Sequence, residues 1–330
     1  LSAANNSYIL VFDWGGGTLD ITVVKVEREK MYEMGTSELT GLAGDKFDEE
    51  LAQLVRNRFA DKYAAVFDTE YIEKMLDEKK DRIISEAEKC KIALSSQNES
   101  KLWVEEIIYD EMARRSYDID ETIHRSDFEK CIQHHIDAAS NRIETAIREA
   151  DISHEQISFV LMTGGTSNIP LVREVIEDKF GSRVRAANNP DMVIAQGAAV
   201  VAEMGWVPYL SKNIMIELSD GSYWTAFDKG RPLVKEQMPA REEVFTCVDT
   251  RDIEAKLIVV EGETEAAKNK ILDVLNIPVQ HISSLRSPDD VVVDLSIDHN
   301  IVLSIKGYGK QAGKRKKKEI HSICFGVEMR

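Results

Sequence analysis

The spacing of hydrophobic residues divides the chain into an α/β part and a β-rich part. Apolar runs at residues 8–12 and 157–162 predict buried strands, and a glycine-containing turn follows each of them. Helical spacing of apolar residues over 45–65 and 126–150 predicts helices between these strands. Beyond residue 212, alternating polar and apolar positions with frequent turn residues predict a series of antiparallel strands.

Local sequence signals predict where the helices begin and end. The apolar spacing over 69–94 predicts one long helix, capped at Asp68 or Thr69, because no Pro or Gly interrupts it. Ser126 and Glu129 match a capping box, which predicts that the next helix begins there. A later helix is predicted to carry Pro170 in its first turn and to stop at Gly181.

Composition and charge narrow the classes of function. The 330 residues, 43% of them hydrophobic, can form about two domains with cores. The net charge of −16 argues against nucleic acid or an anionic membrane as a partner, and the basic run 314–318 is interpreted as a solvated turn between strands. The four cysteines form no C-x-x-C pair, so we expect neither disulfides nor a cysteine zinc site, in a reducing, cytoplasmic location.

The glycine turns carry the candidate chemistry. Gly15, Gly16 and Gly17 follow a strand and lie between the carboxylates of Asp13 and Asp20. Backbone N–H groups without neighbouring Cβ atoms can surround phosphate oxygens, and Asp13 fits there if a divalent cation lies between the two negative charges. A hairpin with structural glycines explains this turn equally well. The second turn, 163–168, favours phosphate binding because it opens onto a helix N-terminus.

Neither turn matches the P-loop or the full dinucleotide-binding pattern, but five stretches resemble DnaK-type heat-shock chaperones, the seventy-kilodalton class of the actin-like ATPase superfamily. They occur in the family's order: "ILVFDWGGGTLDITVV", "GLAGDKFDEEL", "EAEKCKIALSS", "VLMTGGTSNIPLVREVIEDKFG" and "NNPDMVIAQGAAV". The resemblance implies an α/β actin-like ATPase (ribonuclease-H-like) lobe over 1–205, a linker over 206–212, and an all-β sandwich over 213–330.

The resemblance also implies a role for individual residues. Asp13 is similar to the family's carboxylate that holds Mg²⁺ through water, and Thr18 to the hydroxyl near the attacked phosphate, so these two are the candidate catalytic residues. The candidate ligands of ATP or ADP are Gly15, Gly16, Gly17, Asp20, Glu88, Lys91, Ser95, Gly164, Gly165, Thr166 and Asp191. Ile92 stands where the family usually has an adenine-stacking arginine, which marks a divergent member.

In the β-rich part, the resemblance implies binding of extended apolar peptide, with unfolded polypeptides and co-chaperones as partners. The candidate peptide-binding residues are Leu218, Tyr223, Trp224 and Val248, although ordinary core or rim positions explain each of them equally well. His134 and His135 lie in a predicted helix and are interpreted as packing or surface residues.

The leading hypothesis is an ATP-dependent chaperone of the DnaK type that acts in protein folding and the stress response. The family's first phosphate turn and its lobe have no counterpart in these residues, so the resemblance implies a fragment lacking the N-terminal lobe, with negligible ATP hydrolysis alone. An alternative is a docking protein of the same fold that binds nucleotide weakly or not at all. A sugar kinase or filament protein of the superfamily fits the turns but not the β-rich end.

Overall fold

A computed structural model describes residues 6–28, 30–190, 192–247, 249, 251–264, 269–281 and 288–328. Its helices are α1 (Gly44–Tyr63), α2 (Thr69–Glu78), α3 (Lys80–Leu94), α4 (Arg125–Glu149), α5 (Pro170–Phe180) and α6 (Val193–Met204). Among the described residues, no helix is both long enough and apolar enough to cross a lipid bilayer.

The residues group into two compact units. Unit A comprises residues 8–23 and 36–197, and unit B comprises 1–7, 24–35 and 198–330. The first seven strands are β1 (Ser7–Trp14), β2 (Thr18–Glu27), β3 (Lys30–Thr40), β4 (Glu99–Asp110), β5 (Arg115–His124), β6 (Ile157–Thr163) and β7 (Val184–Ala186). The remaining strands are β8 (Val207–Leu210), β9 (Asn213–Glu217), β10 (Tyr223–Phe227), β11 (Ala240–Thr246), β12 (Glu254–Gly262), β13 (Lys270–Pro278), β14 (Asp290–Ile297), β15 (Leu303–Gly309), β16 (Arg315–Ile320) and β17 (Phe325–Glu328).

Unit A is built on a sheet with the strand order β7-β6-β1-β2-β3. β1 and β6 are parallel and in register from Tyr8 opposite Ile157 to Asp13 opposite Thr163. Because parallel strands end at the same edge of a sheet, the two glycine turns leave this sheet side by side. The mixed α/β content agrees with the α/β lobe expected for this part of the chain.

Two predicted helix boundaries are wrong. The segment 69–94 forms two helices, α2 and α3, that meet at Lys79. The buried stripe of Ile72, Leu76 and Ile83 has no apolar residue at 79 or 80, so no buried side chain holds that turn in a single helix. Asp68 does cap α2, by accepting hydrogen bonds from the amides of Glu70 and Tyr71.

The capping box predicted at residues 126–129 does not form, because α4 already begins at Arg125. Arg125 is held there by side-chain hydrogen bonds to the carbonyls of Leu94 (2.8 Å) and Gln97 (2.8 Å), at the end of α3. By contrast, α5 begins at Pro170 and stops at Gly181, as the sequence predicts.

Unit B contains two four-stranded sheets with the orders β10-β9-β12-β13 and β11-β14-β15-β16. Their pairings are antiparallel, and buried residues from both sheets belong to one hydrophobic core. β17 pairs with β8 on one side and with residues 30–32 of β3 on the other. β8 thus occupies much of the segment predicted as a linker, while the domain boundaries at 205 and 212 stay a prediction.

The basic run near the end of unit B is a strand rather than the predicted turn. Its residues Arg315–Lys318 belong to β16, which pairs with β15 and lies at the edge of its sheet. An edge strand tolerates charged side chains because they reach water, and these four side chains are exposed.

Candidate functional site

The first glycine turn of unit A connects β1 to β2. The amide of Gly15 donates to the carbonyl of Thr18 (3.0 Å), which closes the turn. Asp13 is half-buried at the end of β1, and burial, followed by repulsion from Asp20, raises the pKa of its carboxyl. The Thr18 hydroxyl donates to the Asp20 carboxylate (2.9 Å). The ionised form of Asp13 therefore carries an energetic cost that a nearby cation would remove.

The second glycine turn follows β6 and lies directly against the first. Gly164 has φ +80°, a backbone conformation that residues with a Cβ rarely adopt. A Cβ at this position would overlap the backbone carbonyl of Trp14 and lie 2.7 Å from Asp13 Oδ1. Close approach of the two turns therefore requires glycine at 164, whereas Gly165 has open space where its Cβ would be.

A shared acceptor, the Gly15 carbonyl, joins the two turns. It accepts hydrogen bonds from the Thr166 hydroxyl (2.8 Å) and from the amide of Gly44 (3.1 Å), the first residue of α1. A Cβ on Gly44 would lie 2.8 Å from Thr166 Oγ1, so this helix start also depends on glycine. The predicted residues Asp13, Gly15, Thr166 and Gly164 thus come together, and Gly44 is a residue that sequence reasoning missed.

Of the three candidate nucleotide ligands on α3, only Lys91 contacts the start of α1 beside the glycine turns. Lys91 Nζ donates to Asp48 Oδ2 (2.6 Å) and to the carbonyl of Gly44 (3.0 Å). Glu88 is exposed, and the Ser95 hydroxyl donates to the carbonyl of Lys91 (3.4 Å). The amine expected to reach nucleotide is therefore engaged by an ion pair within the protein.

Asp48 was not identified from the sequence, yet it is the buried carboxylate at this end of α1. Its residue exposure is 4%, and burial raises the pKa of its carboxyl to about 6 although Lys91 opposes that shift. A signal was present, because Asp48 follows the buried Phe47 and lies between Gly44 and Leu51 on the face of α1 that is otherwise inside. An acidic residue on an apolar stripe usually has a buried partner.

Unit B contains a cavity of about 480 Å³ at the loops that follow β9 and β11. Leu218, Phe245 and Cys247 contribute to its lining, and so do five carboxylate side chains: Glu217, Asp220, Asp249, Asp252 and Glu254. In the part of the chain that is described, Tyr223 and Trp224 do not belong to that lining. Trp224 instead packs edge-on against Phe245 (5.3 Å) and under the Arg241 guanidinium (4.5 Å).

Two further candidates, Asp191 and Val248, lie outside the described residues.

The residues of unit A fit a magnesium nucleotide by the chemistry of their donors. A carboxylate with a raised pKa lies beside backbone turns that have open space at Gly17 and Gly165. Oxygen ligands of this kind suit Mg²⁺, and backbone amides suit phosphate.

Comparison with known proteins identifies a single family that matches nearly the whole chain. A family model described as "Hsp70 protein" matches residues 1–324. The chain is 27% identical over 322 residues to "Chaperone protein DnaK" of Deinococcus proteolyticus, covering 95% of this chain and 50% of that protein. It is 29% identical over 322 residues to "Chaperone protein dnaK" of Cyanophora paradoxa, covering 96% and 50%. The chain therefore spans about half the length of the curated relatives that it matches.

Proposed function

The chain belongs to the Hsp70 family as a divergent DnaK-type member, and from this premise we propose that the intact protein is an ATP-dependent chaperone. Unit A binds ATP or ADP with Mg²⁺, and the cavity at the loops after β9 and β11 in unit B binds extended apolar segments of unfolded proteins. The observation that carries the proposal is the meeting of the two glycine turns at the Gly15 carbonyl, with Asp13 beside Gly164.

The residues of unit A have separate tasks in this proposal. Gly16, Gly17, Gly164 and Gly165 present backbone amides to phosphate oxygens, while the Gly15 amide closes the first turn. Asp20 orients the Thr18 hydroxyl by accepting its hydrogen bond. Asp13 would hold Mg²⁺, through water. When bound, the metal would neutralise negative charge on the transferred phosphoryl group. Catalysis would then rely on positioning and electrostatic stabilisation.

Nucleotide binding is tested with and without metal. We expect the chain to bind ATP more tightly in Mg²⁺ than in EDTA, and Asp13→Asn to remove that difference. Isothermal titration calorimetry measures both affinities. Asp61→Asn is the matched control. Asp61 is an exposed residue near the C-terminal end of α1, and its substitution removes the same charge. If Asp13→Asn retains the full magnesium dependence, the proposed role of Asp13 is wrong.

Peptide binding is tested at the cavity of unit B. Leu218→Ser is expected to weaken binding of a fluorescent extended apolar peptide by at least about 10-fold, since burial of one leucine contributes about 1.5–3 kcal/mol. Tyr223→Ser is the control, because this neighbouring residue does not line the described cavity. Equal anisotropy titrations for the two variants would exclude the cavity as the peptide site.

A second candidate is the docking protein of the same fold. It is favoured by the engagement of Lys91 with Asp48 and the Gly44 carbonyl, which removes one expected nucleotide contact. Peptide binding without any measurable ATP affinity, and no Asp13-dependent phosphate release by the full-length parent, would favour this candidate over the chaperone.

A further inference from the structure

Three potential metal ligands from two helices of unit A come together away from the glycine turns. Glu50 lies on α1, and His134 and His135 lie on α4. Each offers one ligand atom, and these three atoms lie within 4.8 Å of one another. The sequence gives no sign of this meeting, because more than eighty residues separate Glu50 from the histidines.

Of the three residues, His135 provides the evidence that the cluster binds a ligand. It is 3% exposed, and its Nε2 has no hydrogen-bond partner in the described structure. The Phe47 ring stacks on the imidazole (5.5 Å between centroids), and Glu50 Oε1 lies 3.5 Å from Nε2. A buried polar atom without a partner is unfavourable, so a group that binds Nε2 would be stabilising there.

The chemistry of the three groups suits one class of ion. Neutral imidazole nitrogens are common metal ligands, and Nε2 of His135 faces the Glu50 carboxylate. Two imidazoles and one carboxylate form a ligand set that zinc uses when water occupies its fourth position. His134 is exposed, which leaves that fourth position open to solvent.

A positive side chain already lies near the cluster. Lys46 Nζ is 3.9 Å from Glu50 Oε1, but it is closer to Glu49, at 2.8 Å. The ammonium group therefore compensates Glu49 more closely than Glu50, and an incoming cation has only to compete with the longer contact.

We propose that Glu50, His134 and His135 bind Zn²⁺ or a similar borderline divalent ion, with water completing the coordination. The ion ties α1 to α4. Since α1 begins at Gly44, whose amide bonds to the first glycine turn, the ion also fixes the helix that supports that turn. Binding to the folded state alone stabilises unit A by mass action.

The test uses the untagged 330-residue chain, stripped with EDTA and dialysed, without nucleotide or Mg²⁺. We expect calorimetric titration with ZnCl₂ to give one ion per chain, and the melting temperature to rise with zinc. His134→Ala and Glu50→Gln should each weaken binding at least about 10-fold, because even the loss of supporting groups around a metal costs that much. Both positions are outside the deep core, and circular dichroism checks that the variants fold.

Matched controls separate this site from other zinc ligands. His124→Ala and Asp61→Asn remove an exposed histidine and an exposed carboxylate of α1, and both should bind zinc as the parent does. Cys131→Ser, one helical turn before His135, should also retain binding. The proposal is overturned if the parent does not bind zinc, if His134→Ala and Glu50→Gln bind it unchanged, or if Cys131→Ser loses it.

Discussion

Units A and B hold their buried carboxylates in different ways. In unit A, the carboxylate of Asp48 pairs with the Lys91 ammonium at 2.6 Å. In unit B, Glu261 is 1% exposed and accepts from the backbone amide of Cys324, while the half-buried Glu33 accepts from the amide of Phe325 (3.4 Å). Unit A thus compensates a buried charge with a hydrogen-bonded cation. In the described part of unit B, these two carboxylates accept hydrogen bonds from amides, and the charges of Lys212 and Lys270 also act on them.

This difference predicts that the stability of the two units responds to different changes. Burial raises the pKa of Glu33 to about 7 and also raises the pKa of Glu261, so unit B is more stable when these groups hold protons. The site of unit A depends instead on backbone shape, since its two turns meet only where Gly164 and Gly44 lack a Cβ. Substitutions in unit A should therefore act through backbone geometry and the Asp48–Lys91 pair, whereas in unit B they should act through the protonation of Glu33 and Glu261.

The largest effect is expected from Gly164→Val. The new side chain must adopt φ +80° and overlap the backbone of Trp14, so we expect unit A to lose roughly 4 kcal/mol of its free energy of unfolding. Urea unfolding followed by tryptophan fluorescence measures this loss, because Trp14 is fully buried beside the turn.

The control is Gly165→Ala, one residue further along the same turn. Its Cβ meets open space, so the midpoint of unfolding should stay within the equivalent of about 0.5 kcal/mol. A large loss in both variants would mean that the turn tolerates no side chain at all, and the argument from close approach at Gly164 would fail.

A smaller but still large effect is expected from Lys91→Met. Removal of the ammonium leaves Asp48 buried without its cation, which costs about 3 kcal/mol at pH 8. The cost should shrink at pH 5, because the raised pKa of Asp48 lets its carboxyl become neutral there. Unfolding at both pH values measures the change, and Lys89→Met, which alters an exposed lysine of the same helix, serves as control.

A pH-independent loss in Lys91→Met would mean that Asp48 does not titrate in the folded protein. The double variant Asp48→Asn with Lys91→Met provides a second check, since it removes both charges. It should be more stable than Lys91→Met alone at pH 8, because no uncompensated carboxylate remains inside.

Sequence reasoning predicted the parts of unit A that local chemistry determines. The strand before each glycine turn and the limits of α5 follow from runs of apolar residues, Pro170 and Gly181, whereas the parallel pairing of the two strands was not predicted. The start of α4 at Arg125 depends on tertiary contacts with the end of α3, which no local residue signals. The break at Lys79 coincides with a gap in the apolar stripe, which the search for Pro and Gly missed.

The residue types of the candidate site could be predicted from the sequence, but the contacts between distant segments could not. The glycines and Asp13 were identified by their chemistry. The role of Gly44, the pairing of Lys91 with Asp48, and the cluster of Glu50 with two histidines each join segments far apart in sequence. A single sequence carries no distance between such segments, so these contacts could not be derived from it.

In unit B, Glu33→Gln should change the pH dependence of stability. The folded pKa of Glu33, about 7, lies above its ordinary value of 4.5, so the folded state binds this proton more tightly. Stability is therefore complete below about pH 4.5 and falls as the pH rises to about 7. Glutamine removes that decline, and we expect the variant to gain about 1–2 kcal/mol over the parent at pH 8.

Thermal unfolding at pH 5 and pH 8 measures this effect, with Glu38→Gln as an exposed control on the same strand. The two proteins should be nearly equal at pH 5. If Glu33→Gln is instead less stable at pH 8, then the carboxylate is compensated in unit B as Asp48 is in unit A, and the contrast between the units fails.

The smallest effect on stability is expected from Gly17→Ala, and it separates structural from functional glycines. Nothing lies within 4 Å of the Cβ that alanine would add, so the free energy of unfolding should change by less than about 0.5 kcal/mol. If the turn approaches phosphate as proposed, the same methyl group should nevertheless weaken ATP binding, because only a ligand would occupy that space. Calorimetric titration with ATP and Mg²⁺ decides between the two uses of glycine. Unchanged affinity would mean that Gly17 serves the hairpin alone, and the phosphate contacts of unit A would then have to come from Gly16 and the second turn.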